Sequence, residues 1–573
     1  MKEDYQVSGT NPKALFTLTL HRGEGMTLIA MNWKNGKPPI NFVGFAIEYK
    51  EPKGLQFYAL KNRLGFPGSD KSKDPNKMST LRSPIQKFRW VHFPRNAELE
   101  GAFTYRVTPV LMNPQNELSY GEPQTADIVL QRDTYPGKLN VAFTRGFVSS
   151  QAFVDRYLPD GSVNTLIAPN AKTGLDFKPT HPDAKVALPW MGFEAYEAII
   201  KVLDDAIADK KAQVRVIAYD FNEPEIVGRL KKLGKRLKVI IDDSKGHGGA
   251  GTAETEAEKI LVASAGRENV LREHMGNLQH NKTIVVDGPK VKSAICGSTN
   301  LSWRGIFIQN NNAVVLTGAS AVKIFSDAFD NFWKNKKVAG FGAASSAKWN
   351  NLNLQGIDAK VAFSPHIESN AILQSIADDI STKSTSSVLY SLAFLYESPG
   401  AVHDAIKKVT NDKNLFVYGI SDKEAGGIWL NEPGVSNPAP VFPSVITGKN
   451  LPQPFKAEPT GGRGARLHHK FVVIDFDKPT ARVYFGSYNF SNPADLKNGE
   501  NLLLIKDRRI ATSYMIEALR IFDHYEFRLM QSKAKTARKS LTLALAPSKS
   551  GEKPWWDEDY TNKLKIRDRE IFA

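Results

Sequence analysis

One block of this 573-residue sequence occurs twice, and that repetition restricts the possible folds more than any other feature. His280 and His468 are 188 residues apart, while Asn300 and Asn489 are 189 apart, each pair in similar surroundings. A period of this length is that of a whole domain, which excludes a solenoid of short repeats. We therefore predict a pseudo-two-fold pair of α/β halves.

Both copies show the same order of predicted elements. A helix, a strand, a second helix and a second strand lie at 193–208, 214–221, 224–234 and 237–243 in the first copy, and at 370–380, 387–396, 399–409 and 415–422 in the second. Alternation of this kind favours sheets covered by helices. It predicts a first half at 137–345 and a second half at 346–573 that includes a C-terminal tail.

Residues 1–136 have a different pattern. Short segments such as "GMTLIAMNWK" and "NFVGFAIEYK" alternate apolar and polar positions, which is typical of an all-β sandwich. Trp33 in an early strand and the later stretch "FTYRVTPVLMNPQNELSYGEP" resemble a fibronectin type III domain. The insertion at 62–84 is expected to form a mobile loop.

Each copy carries one motif: His, any residue, Lys, four residues and Asp, followed later by Gly-Ser-x-Asn-x-Ser. The first copy supplies His280, Lys282, Asp287, Gly297, Ser298, Asn300 and Ser302, and the second supplies His468, Lys470, Asp475, Gly486, Ser487, Asn489 and Ser491. Further alignment places Asn311 of the first copy opposite Glu500 of the second. Either motif alone is compatible with an exposed strand edge and a turn, whereas two matched motifs indicate a site.

The residue types indicate phosphodiester chemistry. In a strand, positions i and i+2 face the same side, so each histidine projects together with the lysine of its motif. If the halves meet on the pseudo-two-fold axis, one imidazole can attack phosphorus and the other can protonate the leaving oxygen. The lysines and the amides of Asn300 and Asn489 can balance charge on the non-bridging oxygens. Lysines in such a pocket would repel a metal cation, which favours a reaction without metal.

The remaining polar positions receive lesser roles. Asp287 and Asp475 are predicted to support their motifs, while Ser298, Ser487, Trp303 and Asn311 are candidate substrate contacts. His469 is expected to point away from the site, and His247, His274 and His403 are interpreted as structural.

With these residues in view, the chain is similar to the phospholipase D superfamily in its form with two HKD motifs, over roughly residues 185–530. The resemblance implies a phosphohistidine intermediate formed without cofactor or metal, with His280 as nucleophile and His468 as acid and then base. Glu500 corresponds to the acidic residue that orients a catalytic imidazole in relatives, and Asn311 departs from that acid. A reversal of the two histidine roles remains open.

The resemblance implies either a lipid or a nucleic acid as substrate, and three sequence features bear on the choice. The Pro- and Gly-rich segment 421–466, with Trp429, Phe442 and Phe455, is expected to be a lid or pocket wall suited to acyl chains. The polar loop at 245–254 is expected to face the same pocket. The tail from 533 mixes basic residues with Trp555, Trp556 and Tyr560, which suits stacked nucleotides, an anionic membrane or simple packing.

We favour phospholipid headgroup hydrolysis or transphosphatidylation, with a metal-independent nuclease as the alternative. A third reading is a binding or adhesion protein whose enzyme part has become a scaffold.

Bulk composition fits these readings. The formal net charge is +16, which favours polyanionic partners such as a membrane surface or nucleic acid, although a solvated basic surface gives the same value. The single cysteine, Cys296, excludes internal disulfides. The N-terminal residues lack an apolar signal segment, and no run is long enough to span a membrane. A cytoplasmic protein, or one exported without a signal, is expected. Because one chain carries both motifs, a monomer is predicted.

Overall fold

A computed structural model describes most of the chain. The described residues are 5–68, 78–130, 133–146, 163–393, 399–422, 428–433, 439–441 and 467–573, together with Phe153, Arg156, Tyr157 and Leu395. The chain divides into two compact units: Met1–Arg132 with Thr512–Ala573, and Asp133–Ala511. The central part of the predicted insertion at 62–84 lies outside the described residues.

The first unit contains two antiparallel sheets, so the predicted all-β N-terminal region is confirmed. Its strands are β1 (Gln6–Ser8), β2 (Phe16–Arg22), β3 (Thr27–Trp33), β4 (Phe42–Lys50), β5 (Tyr58–Ala59), β6 (Arg89–His92), β7 (Ala102–Met112), β8 (Leu118–Tyr120) and β9 (Gln124–Val129). One sheet has the order β1-β2-β3-β6 and the other β5-β4-β7-β8, with β9 also pairing with β7. Buried aromatic rings of Phe16, Trp33, Phe42 and Phe45 contact one another in the core. The fibronectin type III likeness of this unit stays a prediction.

C-terminal residues belong to the same unit. Helix α10 (Arg508–Thr536) leads into it, and α11 (Asp557–Thr561) and α12 (Lys563–Ile571) complete it. Trp555 donates its indole N–H to the Phe42 carbonyl at 3.0 Å, and Trp556 is buried in the sandwich core. These residues therefore group with the N-terminal unit, whereas the sequence had assigned them to the second half.

The second unit contains two sheets of similar design. The first half comprises β10 (Leu139–Phe143), α1 (Ala184–Ala208), β11 (Gln213–Ala218), α2 (Pro224–Leu233), β12 (Leu237–Ile241), α3 (Ala253–Ala265), β13 (Val270–Arg272), β14 (Thr283–Asp287), β15 (Lys292–Gly297), α4 (Trp303–Phe307), β16 (Asn312–Thr317), α5 (Ala319–Lys334) and α6 (Val338–Gly342). The second comprises β17 (Asn350–Asn351), β18 (Asp358–Ser364), α7 (Leu373–Lys383), β19 (Ser387–Leu392), α8 (Ala401–Thr410), β20 (Phe416–Asp422), β21 (Ile428–Asn431), β22 (Ala439–Val441), β23 (Lys470–Ile474), β24 (Arg482–Gly486), α9 (Asn492–Leu496) and β25 (Glu500–Lys506).

The strand orders confirm the predicted duplication. The first sheet runs β10-β16-β15-β14-β11-β12-β13, and the second contains β18-β25-β24-β23-β19-β20 in the corresponding places. In both, the pair β11/β12 or β19/β20 is parallel, whereas the pair β11/β14 or β19/β23 on its other side is antiparallel. The fold is thus a pseudo-two-fold pair of α/β halves that follows an all-β region.

Local sequence explains why the motif loops take the same shape twice. Gly297 and Gly486 have φ of 131° and 156°, and a Cβ atom there would come within 2.5 Å and 2.2 Å of the carbonyl oxygens of Asn312 and Asn501. Glycine is therefore required for the close approach of the next strand. The last serine of each motif, Ser302 or Ser491, accepts a backbone N–H in the first turn of α4 or α9 and caps that helix.

Candidate active site

Two short backbone contacts join the halves beside the motifs. Gln279 pairs with Gly499, and Asn310 pairs with Leu467, each as an isolated parallel bridge. Each bridge therefore places the residue before a motif histidine next to the residue before Glu500 or Asn311 of the other half. This arrangement obeys the pseudo-two-fold relation.

The two motif histidines lie close together. The ring centroids of His280 and His468 are 6.3 Å apart, with an angle of 65° between the ring planes. Both side chains are buried, with residue exposures of 4% and 5%. The predicted convergence of the two imidazoles is thus present in the structure, at a separation that suits one phosphate group between them.

Each imidazole is held by a side chain from the other half. The Nδ1 atom of His280 is 2.8 Å and 2.9 Å from the two carboxylate oxygens of Glu500. The Nδ1 atom of His468 is 2.8 Å from Oδ1 of Asn311. Since both Nδ1 atoms are engaged, Nε2 is the ring atom that remains for a substrate.

The Asn311 amide fixes the tautomer of His468. Its Nδ2 group donates to the carbonyl oxygen of Gly305 at 2.8 Å, so Oδ1 is the atom that faces the imidazole. An amide oxygen only accepts hydrogen bonds, and the proton of neutral His468 therefore lies on Nδ1. The aligned residues Asn311 and Glu500 thus each hold the Nδ1 atom of one imidazole, but Glu500 is negatively charged and Asn311 is neutral.

Burial keeps both rings neutral before a substrate binds. It lowers the pKa of His280 to about 4, although the Glu500 carboxylate opposes this shift. The pKa of His468 also falls well below its usual value because of burial and the neighbouring charges of Lys470 and Lys282. Burial alone would raise the pKa of Glu500, but its hydrogen bond with His280 and the nearby charge of Lys282 bring that pKa below the ordinary value.

The motif lysines are buried beside the histidines. Lys282 donates to the backbone carbonyl of His280, and Lys470 donates to that of His468 at 2.8 Å. Burial lowers the pKa of Lys282 to about 7, with Glu500 opposing the shift. The Lys282 ammonium also lies 4.7 Å from the ring centroid of Tyr219. These bonds hold the two cations at the place where the sequence predicts charge balance.

The two motif asparagines, Asn300 and Asn489, share one feature, an amide oxygen without a hydrogen-bond partner among the described residues. Asn300 is buried at 2% exposure, and within the described part of the chain its Oδ1 atom and that of Asn489 have no hydrogen-bond partner. Unpaired buried polar atoms are uncommon in folded proteins and call for an explanation. Each Oδ1 atom is an acceptor, so it can pair with a water or a hydroxyl group, whereas a phosphate oxygen can pair only with the amide Nδ2 group.

Three predicted substrate contacts are engaged with other groups of the protein. Ser298 and Ser487 are fully buried and accept backbone N–H groups of Asn312 and Asn501, so they support the motif loops. Trp303 is in the core of the first half, where its indole N–H donates to the Gly174 carbonyl at 2.8 Å. The sequence could not show that α4 turns this ring away from the pocket.

The two motif aspartates differ. Asp475 is fully buried and accepts backbone N–H groups of Thr385, Ser386 and Ser387. Asp287 is 44% exposed and pairs with Lys292 on the neighbouring strand. Only the second aspartate joins distant parts of its half.

Sequence reasoning missed a polar group next to the first motif. The carboxylate of Asp242 accepts the backbone N–H of Gln279 at 2.7 Å and lies 2.8 Å from Nδ1 of His247. The Tyr219 ring lies between His247 and His280, with centroid distances of 4.5 Å and 4.6 Å. His247, interpreted from sequence as structural, is therefore close to the site, as the prediction for the loop at 245–254 requires. The available signal was the position of Asp242 directly after strand β12.

Much of the predicted pocket wall at 421–466 lies outside the described residues. Trp429 lies in β21, whereas Phe442 and Phe455 lie outside the described residues. Across the described ranges, no group of three or more His, Cys, Asp or Glu side chains could hold a metal ion. No helix in the described ranges has the length and apolar character needed to cross a bilayer.

Comparison with known proteins finds chains that are similar in sequence or in structure. Residues 203–333 and 383–521 match a family described as "Cardiolipin synthase, PLD-like domain". A phospholipase D of Rickettsia prowazekii is 46% identical over 48 residues, which cover 8% of this chain and 22% of the relative, and that of Rickettsia felis is 44% identical over the same length. The chain thus matches about a fifth of the length of these curated relatives.

Solved structures with a similar course of the chain include a phospholipase D family member, Nuc, from Salmonella typhimurium. It is 25% identical, covers 24% of this chain and 87% of its own, and has a TM-score of 0.21. Phosphatidylserine synthase of Haemophilus influenzae is 11% identical, covers 61% and 92% of the two chains, and has a TM-score of 0.42.

Proposed function

We propose that this chain, a member of the phospholipase D superfamily through its PLD-like domain at 203–333 and 383–521, is a phosphodiesterase that works through a phosphohistidine. One observation carries the proposal: two buried imidazoles face each other at 6.3 Å, each held at Nδ1 by the other half. Such rings can act on the two sides of a single phosphorus atom.

In the first step, Nε2 of neutral His280 attacks phosphorus and the bond to the leaving oxygen breaks. Protonated His468 gives its Nε2 proton to that oxygen, so the alcohol leaves neutral. An anionic diester favours the protonation of His468, because its negative charge opposes the effect of burial. In the second step, His468 takes a proton from water or an alcohol, which attacks phosphorus and releases His280.

The charge of the two Nδ1 partners supports His280 as the nucleophile. Attack through Nε2 leaves a positive charge on the phosphorylated ring, and the Glu500 carboxylate at 2.8 Å can balance it. Asn311 is neutral and cannot. A ring held only by an amide gives up its proton more readily, which suits His468 as the acid.

A trapping experiment tests this assignment. Bis-p-nitrophenyl phosphate has a leaving group that needs little protonation, so the His468→Ala variant is expected to complete the first step but not the second. We expect about one equivalent of p-nitrophenolate per enzyme and a p-nitrophenyl-phosphoryl group on His280, detected by mass spectrometry after rapid digestion. The matching result with His280→Ala and a label on His468 would show that the roles are reversed.

The partner of the acid can also be tested through the pH profile. In Asn311→Asp, a carboxylate next to His468 favours the imidazolium, so its pKa rises and the alkaline limb of kcat/KM moves up by about 1 unit or more. Stability is expected to fall by about 1–3 kcal/mol, because the Gly305 carbonyl loses its donor. Asn311→Ala, which also removes that donor, is the control. An unmoved limb in Asn311→Asp, together with a shift in Glu500→Gln, would contradict the assignment of His468 as acid.

We further propose phospholipid as the substrate, with headgroup hydrolysis or transphosphatidylation as the reaction. The matched family description and the names of the curated relatives refer to enzymes of phospholipids and support this choice. A nuclease of the same superfamily is the second candidate, since the net charge of +16 suits nucleic acid equally well. The all-β region at 1–136 is proposed as a fibronectin type III-like accessory domain.

One incubation separates the candidates. Purified protein with chelator is mixed in parallel with phosphatidylcholine, phosphatidylglycerol, single-stranded DNA and duplex DNA. Release of a headgroup alcohol or of phosphatidic acid with intact DNA is expected, whereas cleaved DNA with untouched lipid would show a nuclease. The His280→Ala variant, run beside each sample, separates activity of this site from contamination. A binding or adhesion protein would show no turnover in any sample.

A further inference from the structure

The C-terminal segment 528–551 contains six Lys or Arg residues and no Asp or Glu. In the structure Lys533, Arg538 and Lys539 are exposed to solvent. They lie at the end of helix α10 and just beyond it. This part of the first unit therefore presents positive charge with no acidic residue of its own segment to neutralise it.

Apolar side chains lie among these cations. Met530 and Leu545 are 38% and 40% exposed, although both are large hydrophobic residues. A groove of about 390 Å³ opens beside Met530, and its lining includes Ala534, Ala537 and Leu541 together with Lys533 and Lys539. The surface thus combines an aliphatic groove with a cationic border.

The segment is fixed to the first unit. Leu543 is buried, and its backbone N–H donates to the Gly65 carbonyl at 2.9 Å. The backbone N–H of Ala544 donates to Oε1 of Gln86 at 2.9 Å, and Gln86 donates back to the Ala544 carbonyl at 2.8 Å. The part of the segment next to Leu545 is therefore anchored on the sandwich.

The chemistry of this surface distinguishes between two polyanions. Proteins that bind single-stranded nucleic acid stack bases on aromatic rings, and residues 528–551 contain no aromatic residue. The nearby Trp555 and Trp556 pack into the sandwich core instead. Exposed aliphatic side chains next to lysines suit the boundary between phosphate headgroups and acyl chains.

We propose that the surface formed by Met530, Lys533, Arg538, Lys539, Leu541 and Leu545 docks the protein on an anionic phospholipid bilayer. The cations lie at the level of the headgroups, and the aliphatic side chains enter the outer part of the acyl region. Docking goes beyond catalysis, because it requires none of the motif residues.

Vesicle co-sedimentation tests the proposal. The full chain carrying His280→Ala, which keeps the lipid intact, is mixed with vesicles of phosphatidylcholine alone or with added phosphatidylglycerol. We expect binding to the mixed vesicles that weakens at high salt. Combined Lys533→Gln, Arg538→Gln and Lys539→Gln replacements are expected to weaken it on the order of 100-fold. Leu545→Ser is expected to reduce the binding that remains at high salt.

The matched control neutralises three exposed lysines of the other unit, Lys407, Lys408 and Lys413, and should leave binding unchanged. An equal loss in this control would show a general charge effect and overturn the proposal. Binding of single-stranded DNA without binding of vesicles would overturn it as well. In the background with intact His280, the surface variant should hydrolyse soluble bis-p-nitrophenyl phosphate at the normal rate, so a failure of docking is distinct from a failure of the proposed activity.

Discussion

Replacement of His280 by alanine is expected to reduce turnover of bis-p-nitrophenyl phosphate about 10⁴-fold or more. The reason is that the covalent step needs a nucleophile on the line to phosphorus, and the proposed mechanism uses His468 as acid and base, not as nucleophile. Loss of the ring also leaves Glu500 buried without its main partner. Steady-state release of p-nitrophenolate measures the effect.

Two controls make that result specific. His274→Ala removes a half-exposed imidazole that is paired with Asp243, and it should keep normal turnover. Glu500→Gln keeps the shape of the partner but removes its charge, and it should lower turnover less than His280→Ala does. If His280→Ala retained activity in a folded protein, the proposed covalent mechanism would be wrong.

The largest effect on stability is expected at Asp475. Replacing it with alanine leaves the backbone N–H groups of Thr385, Ser386 and Ser387 without this acceptor, the last two in a buried place, and Arg482 loses a carboxylate 3.8 Å away. We expect the free energy of unfolding to fall by about 3–5 kcal/mol, as is usual when one member of a buried charged group is removed. The residue also has φ of 54°, a conformation that aspartate tolerates better than alanine does.

Asp287 offers the matched comparison. It stands at the same motif position but is 44% exposed, and its ion pair with Lys292 is of the surface type. Asp287→Ala should therefore change stability by less than about 1 kcal/mol. Thermal unfolding of the two variants, followed by near-UV circular dichroism, provides the measurement. Equal losses at the two positions would contradict the distinct roles assigned to them.

Sequence patterns were sufficient to predict the architecture, because both copies show the same order of apolar runs and helix ends. Apolar runs marked β14 and β23, while Pro224 and Gly234 marked the ends of α2. The pairing of equivalent motif positions predicted that His280 and His468 meet. That prediction follows from the pseudo-two-fold relation alone and does not require the distance between the two rings.

The partners of the histidines could not be predicted in the same way. Alignment placed Asn311 opposite Glu500, but which ring each reaches depends on the parallel bridges between the halves. Trp303 was assigned wrongly to the pocket side, since its orientation depends on the packing of α4 on Gly174. Tyr219 was missed because the duplication carried no signal there: Ala393 takes its place in the second half.

The crossed pairing of Glu500 with His280 and of Asn311 with His468 has a consequence for the symmetry of the molecule. Two identical subunits meeting on a true dyad must give both imidazoles the same neighbour, so neither ring could be specialised through that position. Joining the copies in one polypeptide removes this restriction, because a codon change then alters one ring's environment and not the other's. A homodimer therefore cannot combine an anionic and a neutral partner, whereas the fused chain does. Conversely, neither half expressed by itself would contain a complete histidine pair with its proper support.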